Sequence, residues 1–152
     1  MKNHIKVIPR YIFKEIFEGA KGLMPEYAVI SIHEPRNKIF IGGYAEAWPI
    51  IIEDAPNVLN LWFNDAEEYN PATETVLFDE DMADSVVRFV EANKDAKAWV
   101  LHCTAGISRS GAVGGFIADY LGIYYKDFKI DNPQVQPNAL VKKLLTRRLL
   151  EK

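Results

Sequence analysis

Short runs of β-branched and aliphatic residues alternate along this chain with stretches whose apolar positions recur every three to four residues. Residues 11–18 (YIFKEIFE) have the spacing of a short amphipathic helix, ended by Gly19 and Gly22. Residues 27–32 (YAVISI) read as a buried strand that stops before Pro35, and residues 57–63 (NVLNLWF) as a second one running into the polar cluster 64–68. Between them, residues 38–41 suit a strand before the Gly42-Gly43 turn. Residues 80–93 carry the clearest helical pattern. Met82, Val86, Phe89 and Val90 share a face, and Asp79, Glu80 and Asp81 place negative charge where a helix N-terminus favours it.

A third strand follows at 98–101 (AWVL). Ala112, Val113, Phe116, Ile117, Tyr120 and Leu121 then form a wide apolar helical stripe closed by Gly122. A last helix is expected from about Pro137, with Leu140, Val141, Leu144, Leu145 and Leu149 inward and Lys142, Lys143, Arg147 and Arg148 on a solvated face or near its C-terminus. No repeat or linker interrupts the series. The pattern predicts one α/β domain over residues 1–152, with a mostly parallel central sheet flanked by helices.

Composition narrows the function without naming it. The 152 residues suffice for one core, and the 49% hydrophobic and 26% charged content is that of an ordinary globular protein. A net charge of -3 gives no sign of a polyanion-binding protein and weighs against a nucleic-acid partner. The basic opening residues are followed by Lys6, Arg10, Lys14 and Glu15, which break any secretory or membrane-spanning run. Cys103 is the only cysteine, so no internal disulfide can form. A reducing, cytoplasmic setting and a monomer are the expectations, with no membrane partner. His4 and His33 lack ligand-spaced partners, and neither a metal nor another cofactor is expected. Trp48, Trp62 and Trp99 are expected in the core or at its rim.

Cys103 ends a hydrophobic strand six residues before a helix, the edge of an α/β sheet where ligands bind. The connection reads His102-Cys103-Thr104-Ala105-Gly106-Ile107-Ser108-Arg109-Ser110. Five residues between Cys103 and Arg109 are enough to curl the backbone around one tetrahedral anion, with N–H groups inward. Gly106 permits a left-handed or crowded conformation, and the helix starting near Arg109 adds its positive end. Arg109 supplies a planar fork matching two phosphate oxygens. A helix N-terminus and a cation lower a cysteine from about 8.5 to roughly 3.5–7.5, so Cys103 is expected as a thiolate in an open loop, placed for attack on phosphorus. Ser110 can donate its hydroxyl to the sulfur, while His102 is expected to buttress the loop.

This loop resembles the active-site loop of the protein-tyrosine phosphatase superfamily, His-Cys-x5-Arg-Ser/Thr, and its Ala-Gly-Ile-Ser-Arg-Ser form is most similar to the dual-specificity branch. Residues 58–61 with Asp65, the helix at 79–93, and Gln136-Pro137-Asn138 with Leu144 extend the likeness over residues 57–148. Five fixed positions would coincide by chance only about 5 × 10⁻⁵ times over such a chain. The resemblance implies a cysteine-phosphatase fold and hydrolysis of protein phosphomonoesters, on phosphotyrosine and also phosphoserine or phosphothreonine, through a phosphocysteine intermediate. It assigns Cys103, Arg109, Ser110 and an aspartate acid to catalysis, and residues 104–109 (Thr104, Ala105, Gly106, Ile107, Ser108 and Arg109) to the phosphate.

The acid is the open choice. Asp65 follows directly on a strand and is preferred; Asp79 and Asp81 compete but suit a helix N-terminus, and Glu67 and Glu68 suit a loop. Asn138 suits a water-orienting residue, by resemblance, a helix cap, or a plainly exposed position. Rival functions are a related phosphatase acting on RNA 5′-phosphates or another small phosphoester, a rhodanese-like sulfurtransferase, and a phosphate-binding module without turnover. A strand-end cysteine buried for packing alone is the plainest alternative.

Overall fold

The computed structural model describes residues 4–19, 26–35 and 52–151. Its elements run β1 (His4–Pro9), α1 (Arg10–Gly19), β2 (Tyr27–His33), β3 (Val58–Trp62), α2 (Glu80–Ala92), β4 (Ala98–Cys103), α3 (Arg109–Tyr120), α4 (Tyr125–Asp131) and α5 (Ala139–Leu150). The strand expected at 38–41, its glycine turn and Trp48 lie outside the described residues. Two elements were not anticipated. In β1, Ile5 and Val7 are buried while His4 and Lys6 face out, the period-2 alternation of a half-buried edge strand. The short α4 rests on one buried residue, Phe128, too little for a periodic signal.

The four strands pair in the order β1-β4-β2-β3, every ladder parallel. The parallel ladders agree with the sheet the pattern predicts. Central β2 is buried from Ala28 to His33, because helices cover both of its faces. On one face the larger core gathers Ile30, Ile32, Trp99, Leu101, Val113, Ile117, Val141 and Leu145, packed beneath α2, α3 and α5. On the other, Ile8, Phe13, Val29 and Val58 form a second cluster under α1. No described helix is long and apolar enough to cross a membrane.

Asp79 caps α2, its carboxylate accepting from Met82 N at 2.8 Å. Arg148 stands in the last turn of α5, one of the two places expected for the basic residues of this helix. It reaches across to α2, with Nε 2.7 Å from Asp84 Oδ1 and Nη2 on Glu80, so the end of α5 is tied down by ion pairs. α3 is buried throughout from Arg109 to Ala118, which fixes the loop before it against the core.

Candidate active site

Parallel strands carry their C-terminal ends to one edge of the sheet, and the site is assembled there. β4 delivers Cys103, β2 delivers Glu34 one residue past its end, and β3 delivers Phe63, Asn64 and Asp65. The segment before α5 brings Asn138 to the same edge.

Hydrogen bonds from outside hold the carbonyls of the 103–109 loop. Cys103 O accepts from His102 Nδ1 (3.3 Å), Thr104 O from Arg10 N (3.2 Å), and Gly106 O from Gln134 Nε2 (3.1 Å). Ile107 O accepts from Gln136 N (3.0 Å), and Ser108 O from Asn138 N (3.1 Å). All peptides among the described residues are trans, and in a trans peptide the N–H points opposite to the carbonyl. Tying the carbonyls outward therefore turns the N–H groups of residues 104, 105 and 107–109 to the concave side, a nest for an anion. Gly106 makes the curl possible. Its φ is +70°, and a Cβ there would lie 2.5 Å from the backbone of Ile8 and Pro9.

Cys103 lies at the floor of this loop, only 2% exposed, so the thiol is more enclosed than the open loop expected from sequence. The reason is the depth of β4, which buries the strand end between α1 and α3. Burial pushes the thiol pKa up, but the Ser110 hydroxyl and N–H, the Arg109 guanidinium and the Gly106 N–H outweigh it. The net is a thiol below its ordinary value. Ser110 Oγ stands 3.0 Å from the sulfur.

Arg109 is 3% exposed and held from two sides. Nη1 donates to Phe63 O (2.7 Å), and Nη2 to Glu34 Oε1 (2.6 Å) and Thr104 Oγ1 (3.0 Å). Its Nε is buried with no hydrogen-bond partner among the described residues. Glu34 also accepts from Thr104 Oγ1 (3.1 Å) and from Asn64 Nδ2 (3.2 Å). Sequence reasoning missed Glu34; the only available signal was its position directly after a strand, at the ligand-binding edge.

Asp65 accepts from Ser108 Oγ (2.9 Å) and Asn138 Nδ2 (3.0 Å), both on Oδ1. The structure thus brings Asp65 to the loop, while Asp79 is spent as a helix cap. Asn138 is both the N-cap of α5, accepting from Val141 N (3.1 Å), and a support for Asp65. Glu67 accepts from Ala139 N (2.9 Å). Asp65, Glu67, Glu68, Ser108 and Asn138 line one cleft beside the loop. Among the described residues, no group of three His, Cys, Asp or Glu side chains gathers as a metal site.

No protein-family model and no curated protein matches the chain in sequence. Solved structures do match. The structure of Tk-PTP in its active form aligns with 96% of this chain and 91% of its own, at TM-score 0.54 and 13% identity. Human DUSP28 aligns over 97% and 95%, at TM-score 0.52 and 14% identity. The tyrosine phosphatase OH1 of Orf virus aligns over 99% and 85%, at TM-score 0.53 and 13% identity. At these identities the likeness concerns the backbone fold. The chain has the single-domain α/β fold of the protein-tyrosine and dual-specificity phosphatases.

Proposed function

We infer that the protein hydrolyses phosphomonoesters by way of a phosphocysteine at Cys103, with phosphorylated proteins as substrates. The observation that carries this reading is the loop itself. A thiol of lowered pKa lies beneath a ring of inward N–H groups, beside a buried guanidinium with an uncommitted Nε–H. A phosphoryl group seated in the loop places three oxygens against those donors and its phosphorus above the sulfur. The thiolate attacks, the P–O bond to the leaving group breaks, and Asp65 Oδ2 gives its proton to the departing oxygen. Asp65, now a carboxylate, takes a proton from water as the water attacks the phosphocysteine. The thiolate leaves, stabilised by the Ser110 hydroxyl. Glu34 and Phe63 O hold the Arg109 guanidinium in place with its Nε–H open to one phosphate oxygen, and a second oxygen would take the Nη2 proton that Thr104 Oγ1 otherwise accepts.

The acidic cleft beside the loop favours a phosphopeptide over a polyanion. Glu67 and Glu68 would repel the neighbouring phosphates of an RNA 5′ end. OH1 is described as a tyrosine phosphatase with triple substrate specificity, which favours testing more than one class of phosphoester on this protein. The experiment is hydrolysis of an aryl phosphate and a phosphopeptide panel by wild type, Cys103→Ser and Arg109→Lys. Loss of turnover in both variants, with chelators without effect, agrees with the mechanism. A Cys103→Ser protein retaining a tenth of wild-type turnover contradicts it.

A further inference from the structure

Behind the loop, a row of buried polar side chains crosses the sheet from α1 to Cys103. Arg10, Ser31, His33, Asn60 and His102 are each at most 5% exposed. The partners of each group dictate where every proton sits. A guanidinium only donates, so Arg10 Nη1 at 2.9 Å makes His33 Nδ1 an acceptor. On the other side of that ring, Asn60 Nδ2 donates to Ile52 O and Asp54 Oδ1, both at 3.0 Å, which turns Asn60 Oδ1 toward His33. His33 Nε2 must then donate to it, at 2.7 Å. Two independent constraints assign His33 the same neutral, Nε2-protonated ring.

The chain continues through Ser31. Its Oγ lies 3.1 Å from His33 Nε2 and is hydrogen-bonded to His102 Nε2. His102 Nδ1 faces Cys103 O, and a carbonyl only accepts, so Nδ1 carries the proton. Nε2 is then the acceptor, and the Ser31 hydroxyl donates to it. With the one His33 Nε2 proton shared between Asn60 Oδ1 and Ser31 Oγ, every link runs one way, from the Arg10 cation to the first carbonyl of the loop. Arg10 also holds the second, since its backbone N–H donates to Thr104 O.

We propose that Arg10, His33 and Ser31 are positioning residues that lock His102 in its Nδ1-protonated form, thereby fixing the peptide after Cys103 and aiming the loop N–H groups at the thiolate. This rests on reading the loop as a phosphate cradle. His102 is faced by Ser31 and His33 from β2, by Arg10 and the Phe13 ring from α1, and by Arg109 from α3. Cys103 is faced by Ser110 and Arg109 from α3 and by the Gly106 N–H. A reversed His102 ring would set an N–H against the Ser31 hydroxyl and a lone pair against Cys103 O, leaving that carbonyl free to rotate into the cradle.

Long-range nitrogen–proton NMR of the 15N-labelled protein reads the tautomers directly. The expected spectrum at neutral pH has His33 protonated at Nε2 and His102 at Nδ1. The pH midpoint of Cys103 alkylation by iodoacetamide then reads the thiolate without requiring turnover. Ser31→Ala should give a mixture of His102 tautomers and raise that midpoint by about one pH unit, the effect of losing aimed donors. Ser31→Thr, which keeps the hydroxyl, should restore both, and Arg10→Met should release the His33 tautomer. A wild-type His102 protonated at Nε2 overturns the proposal, as does a Ser31→Ala protein whose tautomer shifts while its alkylation midpoint stays. Variants that fail to fold leave the wild-type spectrum to decide. Normal tautomers and midpoints in a protein that hydrolyses no phosphoester would sink the functional reading and leave the positioning chain intact.

Discussion

Acidification probes the polar interior behind the loop. Burial lowers the pKa of His102 from 6.5 to about 3; the hydrogen bond to Cys103 O opposes this, while the charges of Arg10 and Arg109, and of His33 wherever acid protonates it, add to it. In the unfolded chain this ring takes up a proton as the pH drops below 6.5, but in the native protein it does not. The stability it contributes is therefore fully present above pH 6.5 and is lost progressively as the pH falls toward 3. Integrating one proton over that window gives a loss of about 2 kcal/mol between about pH 7.5 and about pH 5. Most carboxylates titrate below that range, so the histidines dominate it. Urea unfolding at the two pH values measures the loss. His102→Gln removes the titrating ring, and its loss over the same interval should be smaller by about 2 kcal/mol. Equal losses in wild type and variant would refute the assignment of a neutral, buried ring.

Three further outcomes are expected. Asp65→Asn should lower turnover by roughly 10²–10⁴-fold and remove the basic limb of the pH–rate profile; full activity on a substrate with a poor leaving group would move the acid elsewhere. Gly106→Ala should unseat the loop, because its Cβ would fall 2.5 Å from the Ile8–Pro9 backbone at a φ of +70°. A loss of about 2–4 kcal/mol in urea or a collapse of turnover is the expected reading, and wild-type values for both would contradict the loop geometry. Mild peroxide should inactivate the enzyme through Cys103 with no intramolecular disulfide, and phosphate or vanadate should protect it. Mass spectrometry that finds the modification away from Cys103 would show the reactive thiol is not the one described.

Much of this site was legible because its chemistry is local. The phosphate loop is contiguous, so its residue types and spacing define it before any contact is known, and Asp65 was placed by standing at the end of a strand. The supporting residues are long-range and were not legible. Glu34 reaches Arg109 across 75 positions. Ser31 meets His102 across 71, and within β2 it reads as one polar residue in an apolar run. Arg10 looks like a surface cation opening an amphipathic helix; only the packing of α1 on the sheet buries it. The strand β1 was hidden by its own alternation, since Lys6 and His4 gave the opening residues a polar cast. Asn138 admitted three readings from sequence; it is buried, not exposed, and its geometry combines a cap with a contact to Asp65.

The claim on which the account depends is a covalent phosphoryl group on Cys103. Rapid quenching of the Ser110→Ala protein, whose thiolate must leave without its hydroxyl donor, during turnover of a 32P-labelled phosphopeptide, followed by peptide mapping, tests it directly. The account predicts an S-phosphoryl adduct carried by the peptide containing Cys103 and absent from Cys103→Ser. Label on any other residue, or turnover without a trapped adduct in a variant slowed at the second step, would contradict it.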